Sequence, residues 1–227
     1  MHLHRLGLPQ TLLASPDWIA AQTPAAWLTE HEMRRSNEFA APTRRRDWQA
    51  GRLAAKRLLH DEWAIAPRTC AVGTDGIAPR LDAPGLENIN WSLSHSAGWG
   101  AASWADTHAQ GTVGIDIQQI RAVHAGLAAR ILGEQECVRH TYLQIDLGHD
   151  EAILLVWALK EAAIKARRLP WGRALSSIHV QITSAHTAQI SLPDEPQMFS
   201  ASYLRHGSFW VARALRPPSL PPPVTAR

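Results

Sequence analysis

Apolar residues recur at helical spacing in three stretches: Pro24 to about Met33, Thr43 to about Trp63, and Asp150 to Arg168. Each spacing predicts a helix with one apolar stripe that needs a core to face. Thr43 stands where an N-cap would open the second stretch, its hydroxyl able to accept from a first-turn amide. From Pro67 onward the punctuation changes to Gly73, Gly76, Pro79 and Gly85, which predicts loops and short strands. Ile89 to Leu93 and Gly98 to Trp104 then read as strands joined through a polar turn at Ser94-His95-Ser96, and Thr112 to Ile117 is a β-branched strand. Beyond it, His124 to Leu132 and Glu134 to Tyr142 predict helices, while Ser177 to Thr183, Thr187 to Leu192 and Phe209 to Leu215 alternate as antiparallel strands.

Helices followed by strands, twice over, predict an α+β chain of two lobes, 1–110 and 111–216, each a small antiparallel sheet packed with helices. The tail over 217–227 carries Pro217, Pro218, Pro221, Pro222 and Pro223. Prolines give a ladder no amide donors, so disorder is expected there, with a proline-rich docking ligand as the alternative.

At 227 residues and 45% hydrophobic content the chain can bury a core of ordinary size. No run is long and apolar enough to span a bilayer, and His2, His4 and Arg5 precede only a short, broken apolar stretch, so a cytoplasmic protein without membrane attachment is expected. Cys70 and Cys137 are too few for a disulfide framework or a metal cage. A net charge of +3 suits an acidic protein, a phosphorylated small molecule or nucleic acid. Much of the positive charge lies in Arg34, Arg35, Arg44, Arg45, Arg46, Arg52, Lys56 and Arg57. That run mostly reads as solvated helix surface, and only Phe39 and Trp48 interleave it, so a nucleic-acid groove is not expected. The ten tryptophans are spread along the chain as core residues.

Lysine is rare, with three among twenty-three basic residues, and two of the three flank Glu161 in Trp157-Ala158-Leu159-Lys160-Glu161-Ala162-Ala163-Ile164-Lys165. A compact ammonium differs chemically from the arginine fork used elsewhere. Glu161 and Lys165 also have the spacing of an ordinary helix pair, about 0.2 to 0.5 kcal/mol of stabilisation and no chemistry. On the helical wheel Leu155, Leu159, Ala162, Ala166 and Leu169 form the apolar stripe. Trp157, Glu161, Ile164 and Lys165 lie off it, which predicts a second contact surface on this helix.

In Thr112-Val113-Gly114-Ile115-Asp116-Ile117-Gln118 the strand period puts Val113, Ile115 and Ile117 on one face and Gly114, Asp116 and Gln118 on the other. A carboxylate in so apolar a strand needs a cation or donors. It reads equally as an arginine or loop partner and as a metal ligand. Gly114 leaves room for a ligand or a second backbone. Asp116, Gln118 and Glu161 would make an oxygen-rich corner suited to Mg²⁺, with Lys160 and Lys165 nearby for phosphate charge. His95, between Ser94 and Ser96, is either structural or a phosphate contact.

These pieces together resemble the 4′-phosphopantetheinyl transferases of the surfactin-synthetase-activating type. The resemblance rests on Trp91 to Ser96, Val113 to Gln118 and Val156 to Lys165, more weakly on Glu32 to Arg57 and Gly76 to Arg80. It implies two pseudo-symmetric α+β lobes with coenzyme A and Mg²⁺ in the cleft between them. It implies Asp116, Gln118 and Glu161 at the metal, and Glu161 taking the proton from a carrier-protein serine. Lys165 and Lys160 would stabilise pyrophosphate, Ser94 and His95 would hold phosphate groups, and Arg35 and Arg46 would meet the 3′-phosphate of coenzyme A. The implied partner is an acyl, polyketide or peptidyl carrier protein, served by a monomer.

The chain departs from the family pattern twice. Gln118 stands where many members carry a glutamate, which implies weaker metal affinity. Gly76-Ile77-Ala78-Pro79 lacks the usual lysine, for which Arg80 could substitute. A non-catalytic carrier-binding relative and a basic nucleic-acid-binding module are the alternatives.

Overall fold

The computed structural model describes residues 3–4, 7–74, 79–81, 83–133, 147–168 and 174–218. The predicted helix over Glu134 to Tyr142, Cys137, the segment Gly76 to Ala78 and the tail from Ser219 onward lie outside them.

The first sheet has four strands in the order β1-β2-β6-β5, formed by β1 (Leu3–His4), β2 (Thr11–Ala14), β5 (Ile89–Ser96) and β6 (Trp99–Asp106). Helices α1 (Pro16–Ala20), α2 (Pro24–Trp27), α3 (Glu30–Asn37) and α4 (Pro42–Trp63) accompany it, and β3 (Val72–Thr74) and β4 (Pro79–Leu81) pair in a small hairpin. The second sheet has five strands in the order β7-β11-β10-β9-β8. These are β7 (Thr112–Gln119), β8 (His179–Ile182), β9 (Thr187–Ser191), β10 (Phe199–His206) and β11 (Phe209–Arg216), accompanied by α5 (Ala125–Ile131) and α6 (His149–Arg167). All strand pairs are antiparallel, and the α+β class expected from the sequence is the one observed. None of the described helices is long and apolar enough to cross a membrane.

Several local expectations change. The single helix foreseen from Pro24 to Met33 is two, because Thr29 and Glu32 form a capping box that starts α3 afresh: Thr29 Oγ1 accepts the Glu32 amide at 3.2 Å and Glu32 Oε2 accepts the Thr29 amide at 2.8 Å. Thr43 is not a cap, since α4 begins at Pro42 behind Ala41, with no side-chain cap. Ser94, His95 and Ser96 belong to β5, and the turn is Ala97-Gly98, both at positive φ (47° and 82°), the two-residue hairpin geometry that matches strand twist. Strands β1, β2 and β10 and the short helix α1 were not foreseen.

Each long helix lies on a strand at a glycine. A Cβ at Gly100 of β6 would fall 2.0 Å from the Ala50 carbonyl oxygen of α4, and one at Gly114 of β7 would fall 1.8 Å from that of Ala162 in α6. Gly114 therefore admits a second backbone, not a ligand. The first lobe's core gathers Leu53, Leu58, Leu59, Trp18 and Trp91, and the second's gathers Leu155, Leu159, Ile190, Phe199 and Tyr203.

A third apolar cluster joins the sheets, with Leu8, Leu13 and Ala101 meeting Ile115, Ile117 and Val211. Beside it, buried Arg213 of β11 donates to Ser103 Oγ, Gln10 Oε1 and the Trp104 carbonyl across the interface. Desolvation by burial lowers that guanidinium to about 10.

Candidate active site

The close approach at Gly114 fixes which face of α6 looks at β7. Gly114 and Asp116 share a face of the strand, so the residues around Ala162 on the helix are brought over Asp116. Lys165 Nζ donates to Asp116 Oδ1 at 2.7 Å, to the Ile115 carbonyl at 3.0 Å and to Ser94 Oγ at 3.0 Å. Ser94 in turn donates to Asp116 Oδ1 at 2.8 Å. Lys165 thus pairs with the strand aspartate, where the helix spacing had offered Glu161.

Asp116 is only 6% exposed, and its Oδ2 is buried with no hydrogen-bond partner. A buried carboxylate oxygen left in this state costs free energy. Glu161, one turn before Lys165 on α6, is half-buried and accepts a long bond from Trp157 Nε1 at 3.4 Å. Burial, and then the charge on Asp116, raise its pKa above the ordinary carboxylate value, while Lys165 and the Trp157 bond oppose the shift. Two carboxylates and one ammonium leave the corner one charge negative.

That donor set fits a hard divalent cation. The orphaned Asp116 Oδ2, the Glu161 carboxylate and the Gln118 amide, half-buried on the Asp116 face of β7, offer oxygen only. Mg²⁺ accepts one or two carboxylates and keeps waters. Among the described residues no group of three or more His, Cys, Asp or Glu stands where it could hold a metal ion, so an ion here would rest on two carboxylates, the Gln118 amide and waters.

His95 follows Ser94 on β5 and is exposed, beside α4, where a Cβ on Gly51 would come 3.6 Å from its Cδ2. Asp47 of α4 accepts the Gly98 amide at 2.7 Å and so ties the β5–β6 turn to the helix. Partial desolvation, then Lys165 and Arg52, lower the His95 pKa against the opposing charges of Asp47 and Asp116. Because the ring remains exposed, solvent screens these charges and the shift matters less than the position.

Other expected residues lie elsewhere. Lys160 is fully buried, and its Nζ donates to the Ile131 carbonyl at the end of α5, at 2.7 Å, so it is not at the Asp116 cluster. The reason is helical: Lys160 and Glu161 are neighbours in sequence and point about 100° apart. Arg35 is exposed, paired with Glu38 and over the Phe39 ring at 5.4 Å, and Arg46 is exposed near the start of α4. Neither reaches the Asp116 cluster.

Sequence reasoning grouped Arg52 and Lys56 with a solvated basic run, and both are buried. Arg52 is 8% exposed, its guanidinium 3.6 Å from the Trp48 ring centroid, with Nε lacking a partner. Desolvation, with Arg35 adding and Glu32 opposing, lowers its pKa to about 10. The signal was available: Trp48 and Arg52 are four apart and share a helix face.

No curated protein matches the chain. One family does match part of it, over a span that contains Asp116, Gln118, Glu161 and Lys165 and leaves Ser94, His95, Arg35 and Arg46 outside: residues 112–214 match the family model of the 4′-phosphopantetheinyl transferase superfamily.

Proposed function

We propose that the chain transfers the 4′-phosphopantetheine group from coenzyme A to a serine of an acyl or peptidyl carrier protein and releases adenosine 3′,5′-bisphosphate. The observation that carries this reading is the buried, unpartnered Asp116 Oδ2 beside Lys165 and Glu161, within the segment that matches the family. Mg²⁺, held by Asp116 and Glu161 with Gln118 directly or through water, would neutralise charge on the pyrophosphate.

The residues of the chain divide the remaining work. Glu161, its basicity raised by burial, takes the serine proton directly or through a water. The serine oxygen forms a bond to the β-phosphorus of coenzyme A, the bond from that phosphorus to the bridging oxygen breaks, and adenosine 3′,5′-bisphosphate departs with the electron pair. Lys165 offers a positive charge to the oxygens on which charge grows, a contribution that needs no covalent chemistry. His95, beside α4, and Arg52 of α4 would suit the remaining phosphates, and Arg35 and Arg46, exposed on α3 and α4, would meet the 3′-phosphate.

Incubating several apo carriers with coenzyme A, Mg²⁺ and the folded chain should raise carrier mass by one phosphopantetheine. No gain with any carrier would overturn the reading, and carrier binding without gain would favour a non-catalytic relative with Gln118 in place of a carboxylate.

A further inference from the structure

Strands β5 and β7 are the facing edges of the two sheets, yet their backbones are not paired with each other. An edge strand normally leaves a row of amides and carbonyls unanswered. Here side chains of β5 answer them. Asn90 Oδ1 accepts the Val113 amide at 2.5 Å, Ser92 Oγ accepts the Ile115 amide at 2.9 Å, and Ser94 Oγ donates to Asp116 Oδ1 at 2.8 Å. On the same edge the Ile115 carbonyl takes Lys165 Nζ at 3.0 Å.

Asn90, Ser92 and Ser94 are alternate residues and share one face of β5. Their partners advance along β7 in the same direction, so the strands run side by side in parallel. All three are buried, with relative exposures of 3%, 2% and 6%. A slip of one residue would turn Trp91, Leu93 and His95 into the seam instead. Two rungs of this ladder have no reach to the Asp116 cluster, and the third is part of it.

We infer that Asn90 and Ser92 are positioning residues: they set the register of β5 against β7 and thereby hold Ser94 and His95 opposite Asp116 and Lys165. Each rung caps a strand amide, and the pair prevents the first sheet from sliding along the second. The effect on turnover rests on the transferase reading, whereas the alignment itself does not.

The experiment compares Ser92→Ala, Ser92→Thr and Asn90→Ala with Gln10→Ala, which removes an acceptor of Arg213 elsewhere in the same interface. Nitrogen-15 NMR of the Lys165 ammonium reads the cluster without any substrate. In the wild-type chain its three acceptors should keep that signal visible against solvent exchange. In Ser92→Ala and Asn90→Ala it should broaden or vanish, and in Ser92→Thr and Gln10→Ala it should persist. In carrier loading, Ser92→Ala should lower kcat by about tenfold or more with KM for coenzyme A within about twofold, since misplacement of a catalytic group costs rate before binding. An unchanged Lys165 signal in folded Ser92→Ala and Asn90→Ala overturns the inference, as does a loss of thermal stability with kcat intact. If the wild-type chain loads no carrier, the transferase reading fails, and the Lys165 signal still decides the alignment.

Discussion

Two lysine–carboxylate pairs of the same length stand among the described residues, one in each lobe. Lys56 of α4 meets Glu32 of α3 at 2.7 Å, and Lys165 of α6 meets Asp116 of β7 at 2.7 Å. The first pair is closed. Lys56 is fully buried and spends its other protons on the Pro67 and Cys70 carbonyls, each at 2.7 Å, while Glu32 also accepts the Thr29 and Val72 amides. The second is open. The Lys165 side chain is 29% exposed, one Asp116 oxygen has no partner, and Glu161 adds a further carboxylate whose pKa is raised. A buried ion pair with every valence answered holds structure together. One with an answer missing has room for a ligand, and the difference separates scaffold from chemistry.

The largest expected effect breaks the open pair's site. Asp116→Ala and Glu161→Ala should each lower carrier loading by about a thousandfold or more while circular dichroism stays native. Near-normal turnover in either would remove that residue from the metal and base assignment.

Next in size is the closed pair. Glu32→Ala leaves the Lys56 ammonium buried without its counter-charge, so unfolding in urea should show a loss of about 3 to 5 kcal/mol. The kcat of molecules that remain folded should be unchanged. A loss below about 1 kcal/mol would mean that water or another acceptor replaces Glu32 cheaply.

The smallest effect concerns the cost of keeping Glu161 ready. Its folded-state pKa is raised, by burial first and Asp116 second, so the folded chain binds that proton more tightly than the unfolded chain. The stability it contributes is present below the ordinary glutamate pKa and is lost as pH rises through the raised value. Glu161→Gln should therefore raise Tm by roughly 1 to 3 °C at neutral pH without metal, and the gain should shrink in acid. A lower Tm at neutral pH would show that the Trp157 bond and Lys165 outweigh burial.

The contrast between the pairs was only half legible in the sequence. Asp116, Glu161 and Lys165 could be named because strand and helix periods put each on a definite face, and the structure brings all three together. Lys160 could not be separated from Lys165 by type or neighbourhood, and only the rotation of α6, fixed by the Gly114–Ala162 contact, sends it to Ile131. Lys56 and Arg52 were misread because a basic residue on a helix is usually solvated; their burial depends on Glu32 and Trp48, long-range or face-specific partners that composition does not reveal. Strand β10 was missed for a similar reason. Its inward residues Phe199, Ala201 and Tyr203 alternate with Ser200, Ser202 and Leu204, and a small alanine with interspersed serines gives a weak period. The ladder from Asn90 to Ser94 read as polar strand and turn, since its partners lie more than twenty residues away across the seam.

The most direct test measures both pairs in one assay, with Lys165→Met and Lys56→Met compared for carrier loading per folded molecule and for thermal stability. Lys165→Met should lose about a hundredfold in kcat, the scale for removing one group that stabilises growing charge, with Tm near wild type. Lys56→Met should lose stability and keep its kcat within about threefold. If Lys165→Met loads carriers normally, or if Lys56→Met loses turnover at unchanged stability, the assignment of chemistry to the open pair and scaffold to the closed one is contradicted.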